Sequence, residues 1–180
     1  AMGRRYTAED YRRVVELLTS RFQPPASADR DTKEGPGSGI CIGTDVIVGF
    51  PGETRERFER TMEFIESLRV AYLHVFPFSK RRLTGAAGMK ETVTPSEKKR
   101  RVAELRRISA VKREAYYRSQ LGRDLDVVID GGRDKRTGLL KGISGNYVPV
   151  LIDGPDELTG RMVTARIERV NGGFAYGGRL

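Results

Sequence analysis

Apolar residues are arranged in two different ways along the 180-residue chain. Up to about Ser119 they recur at helical spacing between short continuous runs; beyond Gly122 they come in brief β-rich stretches cut by glycine. Tyr11, Val14, Val15, Leu18 and Phe22 form one stripe of an amphipathic helix, with Thr7 as its cap and Asp10 in the capping-box position. In the stretch from Ile42 to Thr54, the uninterrupted Val46-Ile47-Val48 predicts a strand buried on both faces. It breaks at Gly49-Phe50-Pro51-Gly52 and enters a helix capped by Thr54, whose stripe is Phe58, Met62, Ile65 and Leu68. Ala71 to Phe78 is the next buried strand, so 42–78 predicts a βαβ unit with parallel strands and a right-handed crossover.

Thr94-Pro95-Ser96-Glu97 supplies a cap, a proline at the first helical position and a capping-box glutamate. The helix it opens keeps Val102, Leu105, Ile108, Val111 and Ala115 on one side to about Ser119. After it, the runs Leu125–Asp130, Leu139–Ile143, Tyr147–Ile152, Met162–Val170 and Phe174–Gly177 predict a small antiparallel barrel. The expected organisation is therefore an α/β domain with its linking helix over 1–119 and an all-β domain over 120–180. Gln23 to Gly39 offers nothing to bury and reads as a flexible loop, and Ala1-Met2-Gly3 as a cloning remnant.

Composition narrows the function. Hydrophobic residues at 38% are enough for packed cores. No apolar run nears the roughly 20 residues that cross a bilayer and no signal pattern opens the chain, so a soluble, cytoplasmic protein without membrane contact is expected. A net charge of +9 points to a polyanion, RNA before mere solubility by charge. With one cysteine, Cys41, the chain has no disulfide framework and no all-cysteine iron–sulfur or zinc site. Cys41 reads as a small buried hydrophobe and His74, the single histidine, as a packed, hydrogen-bonded ring. The Gly49–Thr54 turn is either an ordinary βα connection or the seat of a small ligand. The charges Lys98, Lys99, Arg100, Arg101, Arg106, Arg107, Lys112 and Arg113 mark either a solvated helix face or a nucleic-acid contact.

In order along the chain, GTDVIVGFPGET, YLHVFPFS, a TPSEKKRRVAELRRI helix and SGNYVPVLI resemble the C-terminal half of the radical-SAM tRNA methylthiotransferases. The nearest subgroup is the one acting on threonylcarbamoyladenosine beside the anticodon. The resemblance implies a partial β/α, TIM-like radical-SAM barrel followed by an OB-like TRAM barrel. In that family S-adenosylmethionine and two [4Fe-4S] clusters do the chemistry, adding a methylthio group to adenosine C2. One cluster sits on a CxxxCxxC motif and the other on three cysteines of an N-terminal domain; neither set is in this chain, so it looks like a fragment, expected to hold no cluster and to be inactive alone.

By the same resemblance, the strand-end motif that approaches the adenine of S-adenosylmethionine maps onto Ile47, Gly49 and Glu53, with Val75 and Phe76 of the next strand nearby. The barrel would grip tRNA phosphates through Arg133, Lys135, Arg136, Lys141, Arg161, Arg166 and Arg169, with Tyr147 either stacking on a base or forming barrel wall. The loop after the second strand departs from the family's proline-rich pattern, and its Lys80, Arg81 and Arg82 are set to meet RNA phosphate or merely solvent. Partners would be tRNA and the missing N-terminal portion, with self-association through open sheet edges. Two rivals stand beside this reading: a free-standing RNA-binding adaptor, and a phosphate- or nucleotide-binding α/β protein using the Gly49–Thr54 turn.

Overall fold

A computed structural model describes residues 5–22, 39–82 and 84–180. The expected loop before Gly39 and the first three residues lie outside the described residues. The chain divides into two compact units, one made of residues up to 22 with 42–112, the other of 113–180 with the stretch ending at Cys41. The division falls within one long helix.

In the first unit, helix α1 (Ala8–Arg21) begins with a reciprocal box: Thr7 Oγ accepts from Asp10 N at 3.1 Å and the Asp10 carboxylate accepts from Thr7 N at 2.9 Å. Strands β1 (Gly43–Val48) and β2 (Tyr72–Pro77) pair in parallel, from Gly43 opposite Tyr72 to Val48 opposite Pro77. Helix α2 (Arg55–Ser67) connects them, and Thr54 caps it by accepting from Arg57 N at 3.3 Å. Helix α3 (Pro95–Arg118) is capped by Thr94, whose hydroxyl accepts from Glu97 N at 3.2 Å. Glu97 does not close the expected box; its carboxylate takes Arg100 and Arg101 instead, because charge-assisted bonds to two guanidinium groups outweigh one neutral amide.

The core gathers Val15, Phe58, Ile65, Val102 and Leu105 from the three helices against Val48, Leu73 and Val75 of the sheet. All of it lies on one face. The expectation of strands buried on both faces is corrected here: Ile47 and Phe76, opposite each other in the ladder, are 39% and 49% exposed, and Asp45 and His74 beside them are exposed too. The helical stripes shift for the same reason. In α1 the buried line is Val15 and Thr19 with Tyr11 and Leu18 at its margin, whereas Val14 and Phe22 face out, and in α3 Val111 is exposed. Thr19 is tolerated inside because its hydroxyl donates to the Val15 and Glu16 carbonyls.

The second unit is a closed five-stranded barrel of β3 (Asp124–Arg133), β4 (Leu140–Ser144), β5 (Pro149–Ile152), β6 (Met162–Asn171) and β7 (Phe174–Arg179), in the order β3-β4-β5-β7-β6. It is not wholly antiparallel as expected: β5 and β7 run parallel, since β6 crosses to the far side and closes on β3 before β7 returns. Val127, Ile129, Leu140, Val150, Ile152, Ala165, Ile167 and Ala175 fill the interior. Closure brings strands close at Gly142, where a Cβ would lie 2.5 Å from Val127 Cγ1 and 2.7 Å from the Val128 carbonyl oxygen. Gly142→Ala is therefore expected to destabilise the barrel by about 1–3 kcal/mol in chemical denaturation. Gly145→Ala, with open space around the new methyl, should leave the midpoint unchanged.

Candidate cofactor turn and RNA-binding surface

The turn that follows β1 is bolted from several sides. Gly49 takes φ +76, and the aliphatic stem of Lys98 runs across it so closely that a Cβ would meet Lys98 Cγ at 2.6 Å. The Gly49 amide donates to Glu53 Oε2 at 2.7 Å, and the same carboxylate oxygen receives Arg101 Nη1 at 2.7 Å. Arg101 also donates to the Glu53 carbonyl at 3.1 Å and to Glu97 at 2.8 Å, and lies 5.0 Å over the Phe58 ring. Gly52 N reaches Thr92 Oγ1 at 2.9 Å, and the Lys98 ammonium joins Glu91 to the Phe78 carbonyl where β2 exits. The first turns of α3 thus hold the strand-end turn and its neighbour strand together.

Of the residues expected around the adenine, Ile47 and Phe76 stand side by side on the uncovered face, whereas Gly49 is buried under the Lys98 stem. Val75 faces the helices and is buried, and Glu53 is committed to the Gly49 amide and Arg101. Phe50 and Phe78 meet edge-to-face at 5.1 Å across the two strand exits. His74 is exposed rather than packed, its ring 5.0 Å from that of Tyr72 and 6.4 Å from that of Phe76. Among the described residues no group of His, Cys, Asp and Glu is arranged to hold a metal ion. Cys41 is half-buried beside the Tyr116 hydroxyl; burial pushes its thiol up, away from the reactive thiolate.

Lys98 and Arg101 belong to the charged run along α3, yet both are buried. Their spacing from Leu105 and Ile108, at i+7 and i+10 from Lys98, places both on the buried side of α3, a signal the periodicity of the helix carries.

On the barrel the seven basic residues divide by their partners. Arg133 ties the β3–β4 hairpin to the β5–β6 connection, pairing with Asp156 at 2.7 Å and donating to the Gly138 and Gly154 carbonyls. Arg166 pairs across the ladder with Asp124 at 3.3 Å, and Arg169 stacks 3.7 Å over the Tyr176 ring. Lys141 is half-buried in β4, whereas Lys135, Arg136 and Arg161 stand exposed. Asp134 shapes the hairpin tip that carries Lys135 and Arg136, accepting from the Thr137 hydroxyl at 2.8 Å and from the Thr137 and Arg136 amides, which holds its carboxyl below the usual range. Arg136 reaches the β6–β7 turn, where a Cβ at Gly172 would meet its Nη2 at 3.2 Å. Tyr147 projects from the β4–β5 turn with 69% of its surface exposed. Val128, Ile143 and Met162, register neighbours across three strands, are also exposed and were not singled out from the sequence. Among the described residues no helix is long and apolar enough to cross a membrane.

Two predictions follow from the clasp. Arg101 and Glu53 keep only 5% and 13% of their side-chain surface exposed, so Arg101→Met should cost about 3–5 kcal/mol in denaturant unfolding by leaving a buried carboxylate unpaired. Adding Glu53→Gln should restore part of that loss. Bonds from Arg100 and then Arg101 hold the Glu97 carboxyl at about 2, below its ordinary 4.5. Its stabilisation is complete above about pH 4.5 and drains away as pH falls toward 2. The gap in melting temperature between the wild type and Glu97→Gln should accordingly be constant near neutrality and close over that acidic window.

No family model matches the chain. Individual relatives do. The threonylcarbamoyladenosine tRNA methylthiotransferase MtaB of Aquifex aeolicus is 33% identical over 167 residues, 92% of this chain and 35% of that protein. The MtaB of Bacillus subtilis is 33% identical over 166 residues, 91% of the chain and 36% of the relative. The tRNA-2-methylthio-N(6)-dimethylallyladenosine synthase of Magnetococcus marinus is 35% identical over 167 residues, 93% of the chain and 35% of its own length. The chain thus spans about a third of the length of these relatives. Matched in this way across both of its units, the chain corresponds to a C-terminal fragment of the tRNA methylthiotransferase family.

Proposed function

We propose that the chain is the tRNA-gripping and cofactor-flanking part of a cytoplasmic radical-SAM tRNA methylthiotransferase that adds a methylthio group to threonylcarbamoyladenosine. In this reading β1 and β2 are two strands of a TIM-like β/α barrel whose other strands come from the rest of the polypeptide, and the five-stranded barrel is a TRAM-type RNA-binding domain. The observation that carries the reading is the one-sided burial of the parallel sheet. All three helices lie on one face, as on the outside of a β/α barrel, and the opposite face stays open with Ile47 and Phe76 at its strand ends. β1 and β2 have no further strand neighbours among the described residues, which leaves both outer edges available for the missing strands.

The described residues provide no ligand set for an iron–sulfur cluster, so the chain's own contribution is to bind and orient. Ile47 and Phe76 are suited to the faces of an adenine, since they are apolar and uncovered, and Gly49, buried beneath the Lys98 stem, shapes the turn beside them. Val75 supports them from below, and Glu53 acts through the turn it fastens. When bound, S-adenosylmethionine would supply the radical chemistry. The substrate assignment rests on the sequence resemblance; the relatives' names divide between threonylcarbamoyladenosine and dimethylallyladenosine.

The test is RNA binding by the whole 180-residue chain. Fluorescence anisotropy with a tRNA anticodon stem-loop should show affinity falling with salt, the log-log slope being about −0.7 to −0.9 per phosphate neutralised. Lys135→Ala, at the exposed hairpin tip, should flatten that slope by roughly one unit. Binding that is absent at low salt, or insensitive to salt, would contradict the proposal.

A further inference from the structure

The β4–β5 connection is a three-residue loop between Ser144 and Val148, closed by Tyr147 N donating to the Ser144 carbonyl at 2.9 Å and Ser144 N donating to the Val148 carbonyl at 3.0 Å. Hairpins of this length place their third loop residue in the left-handed region and ordinarily use glycine there. Here the position is Tyr147 at φ +61, the one non-glycine residue with positive φ among the described residues. The residue is 69% exposed, so packing does little to offset the backbone strain.

What fixes the turn is a buried polar network beneath it. Ser144 Oγ donates to Asn146 Oδ1 at 2.6 Å and accepts from Val148 N at 3.0 Å. The Asn146 carboxamide donates to Gln120 Oε1 at 3.1 Å, and the Asn146 carbonyl accepts from the Tyr116 hydroxyl at 3.1 Å. Gln120 is fully buried and donates to the Tyr116 carbonyl and Ser119 Oγ. A buried network with these bonds made holds its members in one arrangement, and strain kept at an over-determined exposed tip is characteristic of a preorganised contact.

We infer that the Ser144–Val148 turn is a preformed aromatic platform that stacks an unpaired base of bound RNA on Tyr147, with Asn146, Gln120 and Tyr116 as its positioning residues. The inference rests on the RNA-binding reading above. An unpaired base is the fitting ligand because its π-face is free, whereas bases in a duplex are already stacked on both sides.

The chain contains no tryptophan, so Tyr147→Trp places a single indole at the tip. In the whole chain, that indole should be quenched by a single-stranded RNA heptamer and far less by the corresponding duplex. Tyr147→Gly should melt at the same or a higher temperature, because glycine accepts the φ. It should nevertheless bind the single strand roughly 5- to 100-fold more weakly with an unchanged salt slope. Asn146→Ala should weaken binding as well, and combining it with Tyr147→Gly should add no further loss, since Asn146 acts through the ring. Tyr147→Phe should bind as the wild type does. If the wild type binds RNA but Tyr147→Gly binds equally well and the indole is not quenched, the platform is refuted while the RNA reading stands. If the wild-type chain binds no RNA at low salt, both fall.

Discussion

A parallel sheet of two strands cannot be covered on both faces by the helices that its own crossover brings, and the α/β unit is shaped by that constraint. The βα crossover puts α2 on one side, and α1 and α3 join it there, so one core forms from Val48, Leu73 and Val75 against Phe58, Ile65 and Leu105. The opposite face keeps Ile47, His74 and Phe76 in solvent. Leaving apolar and aromatic side chains uncovered on a sheet weakens folding unless another part of the molecule closes over them. The strand-end turn is correspondingly secured from the covered side, where Arg101 and Glu53 make a buried ion pair that also captures the Gly49 amide.

The barrel answers to a different constraint. Closure removes its edges, and Gly142 permits the strand approach that closure demands. Because the fold is closed, its polar and basic residues are free to serve two ends. Arg133, Arg166 and Arg169 are anchored by Asp156, Asp124 and the Tyr176 ring, while Lys135, Arg136 and Arg161 extend into solvent. Tyr147 is displayed on a turn that its own conformation strains, held by a network reaching back to Gln120.

Much of this was legible in the residue pattern. Capping residues Thr7, Thr54 and Thr94 mark helix starts that the structure shows, and the five β-rich runs after Gly122 each overlap an observed strand. What failed were inferences about surroundings. Val46-Ile47-Val48 reads as doubly buried because periodicity reports what a residue prefers, not whether a neighbour exists to cover it. The β5–β7 parallel pair depends on the path of β6, which no local pattern encodes. Arg101 was hidden among charges, since composition along a helix does not separate a buried guanidinium from a solvated one unless its position on the stripe is weighed. The Tyr147 conformation was likewise invisible, as tyrosine is a poor residue for that φ and the turn that carries it is held by bonds from Asn146 to Gln120 and Tyr116, 26 and 30 positions away.

In the proposed function, RNA lies on the five-stranded barrel and meets it through the hairpin tip and the Tyr147 turn. Ultraviolet crosslinking of the whole chain to a tRNA anticodon stem-loop, with the adducts mapped by mass spectrometry, tests it most directly. Adducts are expected at Tyr147 and in the peptide carrying Lys135 and Arg136. Adducts confined to α1 and α2, with none on the barrel, would contradict it.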